Sequence, residues 1–229
     1  MAAYGTADIH NVLLAGPRSS GKTTLAEALL FRAGETNRKG TVEAGTSTSD
    51  FEKEEREHHH SVYSSLLHAT HLGKRINLLD LPGAPDLIGQ AIACLPAAET
   101  MVIVMDPDGG VDSMSRRMLR LAHDLDLPVA VVVNKIDGNV GLLGGFLTEL
   151  KETLGRGCLP INLPAKGGTS VIDCLLNAEG ESDLGPVAGF LVVAQVLQNL
   201  LRAVTQHDGW FGKRREVDQA GPVVEERHR

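Results

Sequence analysis

With 229 residues, 42% of them apolar, the chain is long enough for one packed domain and too apolar to be disordered throughout. Its net charge of −7 argues against a surface that wraps a nucleic-acid backbone, and we expect no direct sequence-specific nucleic-acid binding. Three cysteines without a CxxC pair favour neither a disulfide framework nor a thiolate zinc site, and no apolar run approaches the roughly 20 residues of a membrane span. We expect a cytoplasmic location and no membrane partner.

The first predicted unit is a strand, a glycine-bounded loop and a helix. The strand covers 9–15 and ends at Gly16, and the helix covers 23–33, where Gly34 suits a helix C-terminus. Residues 35–60 are polar and contain a charge run and three consecutive histidines, so we predict a mobile surface loop. The histidines lack zinc-site spacing, which favours a polar loop over a metal site.

Strands alternate with helices along the rest of the chain. We predict strands over 75–81, 100–105, 129–133 and 158–163, and helices over 115–125, 142–154, 169–176 and 187–204. This alternation predicts an α/β fold with a doubly wound, mostly parallel sheet flanked by helices. Ligands of such folds bind at the carboxyl ends of the strands.

The first motif follows the first strand and matches the pattern G-x-x-x-x-G-K-[ST]. It consists of Gly16, Pro17, Arg18, Ser19, Ser20, Gly21, Lys22 and Thr23, with Thr24 behind it. Backbone N–H groups of such a loop bind phosphates, and the helix dipole adds positive potential. Lys22 reaches the β- and γ-phosphates, and the Thr23 hydroxyl ligates Mg²⁺. The motif predicts a P-loop NTPase.

The second motif, Asp80-Leu81-Pro82-Gly83, ends the second predicted strand. Asp80 can hold a magnesium-bound water, and the Gly83 N–H can sense the γ-phosphate, with Ala84 next to it. We assign catalytic roles to Lys22 and Gly83. A hydroxyl in the preceding loop, Ser61, is a candidate second ligand to Mg²⁺ beside Thr23 and Asp80.

The third motif, Asn134-Lys135-Ile136-Asp137, follows the Val-rich strand. The Asp137 carboxylate can accept both the ring N–H and the exocyclic amine of guanine, a pair of donors that adenine lacks. Asn134 can bind the base edge and anchor the P-loop, and the Lys135 stem can cover the ring face. The three motifs predict GTP/GDP and Mg²⁺ as ligands; a P-loop kinase using ATP would instead show no guanine preference.

Together the motifs resemble the GTPase domain of translation elongation factor G, especially its elongation-factor-G-like paralogues. The local matches are the segments 21–25, 50–56, 76–83, 116–118 and 159–164. The resemblance implies a GTPase of protein biosynthesis, a P-loop fold, the ribosome as a candidate partner, and Ser61 as the hydroxyl that ligates Mg²⁺.

One departure from the family concerns hydrolysis. Family members usually carry a His after the Pro-Gly, which positions the attacking water, whereas this chain has Ala84. A methyl group cannot orient water, and such a loss costs about two to four orders of magnitude in rate. We therefore expect slow hydrolysis. The alternative is a nucleotide-gated interaction module that binds GTP or GDP without significant hydrolysis.

The domain organisation follows from these motifs. We predict a GTP-binding core at 1–157, a segment at 158–206 and a disordered charged tail at 207–229. In a small GTPase, Ala165 and Lys166 would form the last base-contacting loop, between a strand and a helix. In elongation factor G an inserted subdomain begins near here, and this second interpretation is the one we favour.

Overall fold

The elements below come from a computed structural model, which describes residues 4–136, 140–155, 158–174 and 181–186. Its strands are β1 Ile9–Ala15, β2 Ser65–His71, β3 Lys74–Asp80, β4 Thr100–Met105, β5 Val129–Val133, β6 Asn162–Ala165, β7 Ser170–Asp173, β8 Glu181–Ser182 and β9 Gly185–Pro186. Its helices are α1 Lys22–Ala33, α2 Lys53–His58, α3 Ile88–Cys94, α4 Ser113–Asp124 and α5 Val140–Leu154.

The main sheet has five strands in the order β2-β3-β1-β4-β5. Strands β3, β1, β4 and β5 pair in parallel, and β2 pairs antiparallel with β3 at one edge. The predicted mostly parallel, doubly wound sheet is therefore confirmed. It brings the carboxyl ends of β1, β3, β4 and β5 to one rim, and the three motifs follow β1, β3 and β5.

Helices cover both faces of this sheet. On one face, Leu14 and Leu78 pack with Ala26 and Leu30 of α1. On the other face, a larger core joins β1 and β4 to α4 and α5; it includes Leu13, Met101, Ile103, Met118, Phe146 and Leu150. Because both faces are buried, residues 12–15 of β1 and 101–105 of β4 are apolar without alternation. The P-loop, at the junction of β1 and α1, is thus supported by a rigid layer.

Three elements in the first half differ from the prediction, and one of them is helix α3, for which no element was predicted. Strand β2 was not predicted: its buried residues alternate with exposed Leu66 and His68, as at a sheet edge. The prediction of an irregular loop over 35–60 is wrong for α2, whose N-terminus carries a capping box between Glu52 and Glu55.

The region after α5 also differs. Strand β6 covers Asn162–Ala165, later than the predicted 158–163, and the helix predicted at 169–176 is wrong because Ser170–Asp173 is a strand. The two strands form an antiparallel hairpin in a sheet of their own. Lys166, with a φ of 57°, begins its turn. Ala165 and Lys166 thus do not join a strand of the main sheet to a helix, as the small-GTPase interpretation requires.

Several predictions fall outside the described residues: the helix over 187–204, the tail at 207–229 and the carboxylate of Asp137. The domain boundaries at 157 and 206 likewise stay predictions.

Candidate nucleotide site

Glycines shape the P-loop because it passes close to other backbone. Gly16 and Gly21 have φ values of 135° and 96°, a region that side chains rarely adopt. A Cβ on Gly16 would overlap the carbonyl oxygen of Val104 in β4, and a Cβ on Gly21 would overlap the amide nitrogen of Asn134. The loop is therefore held tightly between the sheet and the base-reading motif.

Lys22 lies at the start of α1 with its side chain turned into the loop. Its Nζ donates to the carbonyl oxygens of Gly16 and Pro17 at 3.2 and 2.8 Å. Burial lowers the pKa of Lys22, and the nearby Asp80 carboxylate partly opposes that shift. Removing a cation from water without a strong counter-charge is unfavourable, so this ammonium would gain from an anion such as a phosphate.

The three predicted metal ligands meet beside Lys22. The Thr23 hydroxyl donates to Asp80 Oδ2 at 2.7 Å, and the Thr23 and Ser61 hydroxyl oxygens are 3.4 Å apart. Thr23 comes from α1, Asp80 from the end of β3 and Ser61 from the segment before β2. Residues separated by as many as 57 positions therefore converge, as the motifs predicted.

The donor set fits Mg²⁺. It consists of hydroxyl and carboxylate oxygens, which Mg²⁺ prefers over nitrogen or sulfur. Asp80 Oδ1 is buried and has no hydrogen bond of good geometry within the described part of the chain, although the Ser49 side chain lies near the carboxylate. Burial raises the pKa of Asp80 to about 6, although the Thr23 hydrogen bond and Lys22 oppose the rise. A hydrated cation would satisfy that oxygen and restore its charge.

Asp50 is a site residue that sequence reasoning missed. Its carboxylate is buried and accepts from Ser61 Oγ at 2.7 Å and from Ser47 Oγ at 2.8 Å. A second carboxylate thus stands directly behind the candidate metal ligand Ser61 and fixes its hydroxyl. The available signal was Asp50 itself, the first residue of the charged segment that resembles elongation factor G.

Two further buried carboxylates organise residues 35–64, which we call the switch segment because they join α1 to β2 and carry Ser61. Glu55 accepts from the backbone N–H groups of Val62 and Tyr63 at 2.9 and 3.0 Å. Glu27 of α1 accepts from the N–H groups of Gly40 and Thr48. Both glutamates are almost completely buried. Glu55, which belongs to the charge run predicted to lie at the surface, is therefore an internal residue.

Gly83 closes the phosphate end of the site. A Cβ at this position would lie 2.5 Å from Lys22 Nζ and 2.6 Å from the backbone nitrogen of Arg18. Leu81, two residues earlier, is buried, and its N–H donates to the carbonyl oxygen of Leu14 at 3.1 Å. The turn at Pro82 is thus anchored to β1 and presents Gly83 against the P-loop.

A cavity of about 240 Å³ lies over these groups. The predicted residues that line it are Arg18, Ser19, Gly21, Lys22, Thr23, Thr24, Ser61, Gly83, Ala84 and Lys135. Its remaining lining residues, which were not predicted as contacts, are Val42, Glu43, Asp50, His59 and His60. Ala165 and Lys166 do not line it. No group of three or more His, Cys, Asp or Glu side chains suited to a metal occurs among the described residues.

The base end of the site is described up to Ile136. The Asn134 side-chain amide donates to the carbonyl oxygen of Ser20 at 2.9 Å, which joins the third motif to the P-loop as predicted. Lys135 adopts a φ of 56°, and its Nζ lies 3.0 Å from Asp106 Oδ2, after β4. Asp137, which would read guanine, is outside the described residues, so its role stays a prediction.

The parallel sheet, the glycine-rich loop and the hydroxyl–carboxylate cluster define a P-loop nucleotide-binding domain. Residues 7–207 match the family model described as the elongation factor Tu GTP binding domain. The chain belongs to this family, and it is a guanine-nucleotide-binding domain of the translational GTPase type, related to elongation factor G and release factor 3.

Similar proteins agree with this assignment. An elongation factor G-like protein of Mycobacterium tuberculosis is 34% identical over 166 residues, 72% of this chain and 23% of that protein. Mitochondrial ribosome-releasing factor 2 of Culex quinquefasciatus is 34% identical over 175 residues, 75% and 23% of the two chains. Peptide chain release factor 3 of Streptococcus agalactiae is 34% identical over 155 residues, 66% and 30%.

Solved structures show the same fold. A crystal structure of a Thermus thermophilus protein superposes with a TM-score of 0.71 at 35% identity, over 88% of this chain and 32% of that one. The bacterial selenocysteine-specific elongation factor, at a TM-score of 0.54 and 24% identity, shares the fold. The chain spans 23% to 32% of the length of these full relatives. None of the helices that the structure describes has the length and apolar character needed to cross a bilayer.

Proposed function

We propose that this chain binds GTP with Mg²⁺ and hydrolyses it slowly to GDP and phosphate, in a role connected with translation. The observation that carries the proposal is the meeting of Thr23, Ser61 and Asp80 beside Lys22 and Gly83. Hydroxyl and carboxylate groups at this place suit a metal–triphosphate complex. The ribosome is the proposed partner because two of the similar proteins are named as ribosome-releasing and peptide-release factors.

Each group has a defined task in this proposal. P-loop N–H groups and the Lys22 ammonium hold the β- and γ-phosphates, and the Gly83 N–H donates to the terminal phosphate. Thr23 and Ser61 would hold the metal through their hydroxyls, and Asp80 would hold it through a bound water. When bound, Mg²⁺ supplies positive charge that neutralises the phosphate oxygens as the terminal bond breaks. Water attacks the γ-phosphorus while the bond to the β–γ bridging oxygen breaks, which leaves GDP and phosphate.

Ala84 makes the proposed reaction slow. Ala84 lines the cavity, and its methyl group can neither donate to nor accept from an attacking water. Losing a group that positions water costs about two to four orders of magnitude. We therefore propose a low intrinsic rate.

Single-turnover hydrolysis of GTP by the purified protein tests this proposal, with Mg²⁺ or with EDTA, and with or without ribosomes. We expect slow, metal-dependent release of phosphate, and a faster rate in an Ala84→His variant. A Gly89→Ala variant, in the open space of α3, controls for general effects of substitution. A rate at background in every condition would remove hydrolysis from the proposal.

Ala84 also favours a second candidate function, a module gated by nucleotide that binds partners without useful turnover. It predicts tight GTP and GDP binding, background hydrolysis even with ribosomes, and ribosome binding that differs between the two nucleotides. Equal ribosome binding in the GTP and GDP states would contradict this candidate.

A binding titration tests the base preference. GTP, GDP and ATP are compared for the wild type and for Asp137→Asn, with Asp124→Asn at the exposed end of α4 as the matched control. We expect the wild type to prefer guanine nucleotides strongly and Asp137→Asn to lose that preference. Tighter binding of ATP than of GTP by the wild type would favour the ATP-kinase alternative.

A further inference from the structure

Arg18 is an exposed cation on the P-loop whose side chain reaches the switch segment. Its Nη2 lies 2.9 Å from Nδ1 of His60, which is also 2.9 Å from the carbonyl oxygen of His58. His60 directly precedes Ser61, one of the proposed metal ligands, and both Arg18 and His60 line the nucleotide cavity. The contact therefore joins the P-loop to the switch segment across the cavity.

The backbone places Arg18 at the phosphate end of the cavity. The position of a Cβ on Gly83 lies 2.6 Å from the Arg18 nitrogen and 2.5 Å from Lys22 Nζ. Gly83, Lys22 and the start of the Arg18 side chain thus share one corner. In the proposed function this corner holds the terminal phosphate, and the Arg18 side chain extends from it toward His60.

The charge of Arg18 is available to a ligand. Of the other cations that line the cavity, Lys135 is 3.0 Å from the Asp106 carboxylate and Lys22 is buried against loop carbonyls. Within the described residues, Arg18 has no carboxylate partner. Its partner is His60 Nδ1, which accepts from Arg18 in the tautomer protonated on Nε2 and donates to the His58 carbonyl oxygen in the tautomer protonated on Nδ1. In the first tautomer the pair with His60 orients the guanidinium without neutralising it.

We propose that Arg18 contacts the terminal phosphate and stabilises the charge that develops on it during hydrolysis, and that His60 is a positioning residue for Arg18. This rests on the proposed function. A planar guanidinium offers five donors, and it can bind phosphate oxygens while keeping one N–H on His60. An arginine that contacts the transferring phosphoryl group is worth about 10³–10⁵ in rate in other GTPases. Such a contact would sustain hydrolysis in a chain with Ala84.

The test compares Arg18→Ala and Arg18→Lys with Arg32→Ala, an exposed arginine in the last turn of α1. The readouts are single-turnover GTP hydrolysis, the affinities for GTP and GDP, and the affinity for GDP with aluminium fluoride. For Arg18→Ala we expect hydrolysis to fall about 100-fold or more, and GTP and the fluoride complex to bind at least about tenfold more weakly. GDP affinity should stay unchanged, Arg18→Lys should recover only part of the loss, and Arg32→Ala should match the wild type.

The readouts separate this inference from the proposed function. If the wild type does not bind guanine nucleotides, the proposed function fails. If the wild type binds guanine nucleotides without hydrolysis, the ratio of GTP affinity to GDP affinity still tests Arg18. A lower ratio in Arg18→Ala than in the wild type supports the contact between Arg18 and the terminal phosphate. An Arg18→Ala variant with the wild-type rate, or with GTP and GDP weakened equally, overturns the inference because a tether between loop and switch segment would act on both nucleotides.

The positioning role has its own test. His60→Asn keeps an acceptor near Nδ1 and should retain most of the rate, whereas His60→Leu should lower it about tenfold. In an Arg18→Ala background, His60→Leu should have no further effect on the rate, because the group that it positions is gone. Full additivity of the two changes would show that His60 does not act through Arg18.

Discussion

Replacing Asp80 by Asn should stabilise the ligand-free protein at neutral pH while it weakens the binding of Mg²⁺ with nucleotide. Asp80 is buried at the end of β3, and its Oδ1 has no hydrogen bond of good geometry within the described residues, although Ser49 lies near it. Its pKa is raised from 3.8 to about 6, chiefly by burial. Because the folded-state pKa is raised, the group favours folding most below about pH 4 and loses that contribution as the pH rises through about 6.

The size of the effect follows from that shift. About two pKa units correspond to about 3 kcal/mol of unfolding free energy at pH 7.5, and to about 1 kcal/mol at pH 4.5. The Asp80→Asn substitution removes this charge and keeps an oxygen for the Thr23 hydroxyl, but it buries an amide N–H without a partner, at a cost of about 1 kcal/mol. We expect a net gain of about 2 kcal/mol at pH 7.5 and about none at pH 4.5.

The assay is urea unfolding in EDTA, without nucleotide, at both pH values. At each pH we compare the unfolding free energy of Asp80→Asn with that of the wild type. The difference between the two pH values is the informative quantity, because the buried amide contributes equally at each pH. An Asp124→Asn control should change stability by less than about 0.5 kcal/mol at either pH. A gain for Asp80→Asn that is the same at both pH values would refute the reasoning, as would a stabilised variant that binds Mg²⁺ and GTP like the wild type.

Two further predictions concern the switch segment and the P-loop. Glu55→Ala leaves the partly buried backbone N–H groups of Val62 and Tyr63 without this acceptor and should destabilise the protein by about 2–4 kcal/mol in urea unfolding. Glu54→Ala, on the exposed side of α2, should change little, and similar values for both variants would contradict the internal role of Glu55. Gly83→Ala should reduce GTP affinity at least tenfold in a titration, because its Cβ would lie 2.6 Å from P-loop backbone, while Gly89→Ala in open space should bind normally; unimpaired binding by Gly83→Ala would contradict the close packing.

The part of the fold that sequence predicts best is the interior of the sheet. The predicted bounds of Ile9–Ala15, Thr100–Met105 and Val129–Val133 are confirmed, because runs of Leu, Val, Ile and Ala between turn residues have few alternatives to a buried strand. The edge strand Ser65–His71 was not predicted from the sequence, because one of its faces is exposed and carries His68. Its position depends on β3, which local patterning does not reveal.

The hairpin after α5 was predictable in part. Gly167 and Gly168 stand between two short segments, and Val171 and Ile172 are β-branched, which favours a strand over the helix that we predicted. A window of eight residues fits either period when the strand is short, so the apolar pattern alone does not separate a helix from a strand here.

The site divides in the same way. Contiguous motifs indicated Lys22, Thr23 and Asp80 because phosphate binding needs fixed residue types at fixed spacing. The burial of Asp50 and Glu55 could not be predicted, because each depends on backbone N–H or hydroxyl groups supplied by the folded switch segment.

The hydrogen bond from Asn134 to the Ser20 carbonyl has a consequence for how selectivity variants are interpreted. The missing Cβ of Gly21 leaves just enough room for that amide, so the predicted base-reading turn packs directly against the P-loop at the rim of the sheet. A substitution in either turn that displaces the amide will disturb both ends of the ligand at once. When a variant of the base-reading motif binds GTP more weakly, the loss of affinity therefore reflects changes in the P-loop as well as lost contacts to the base.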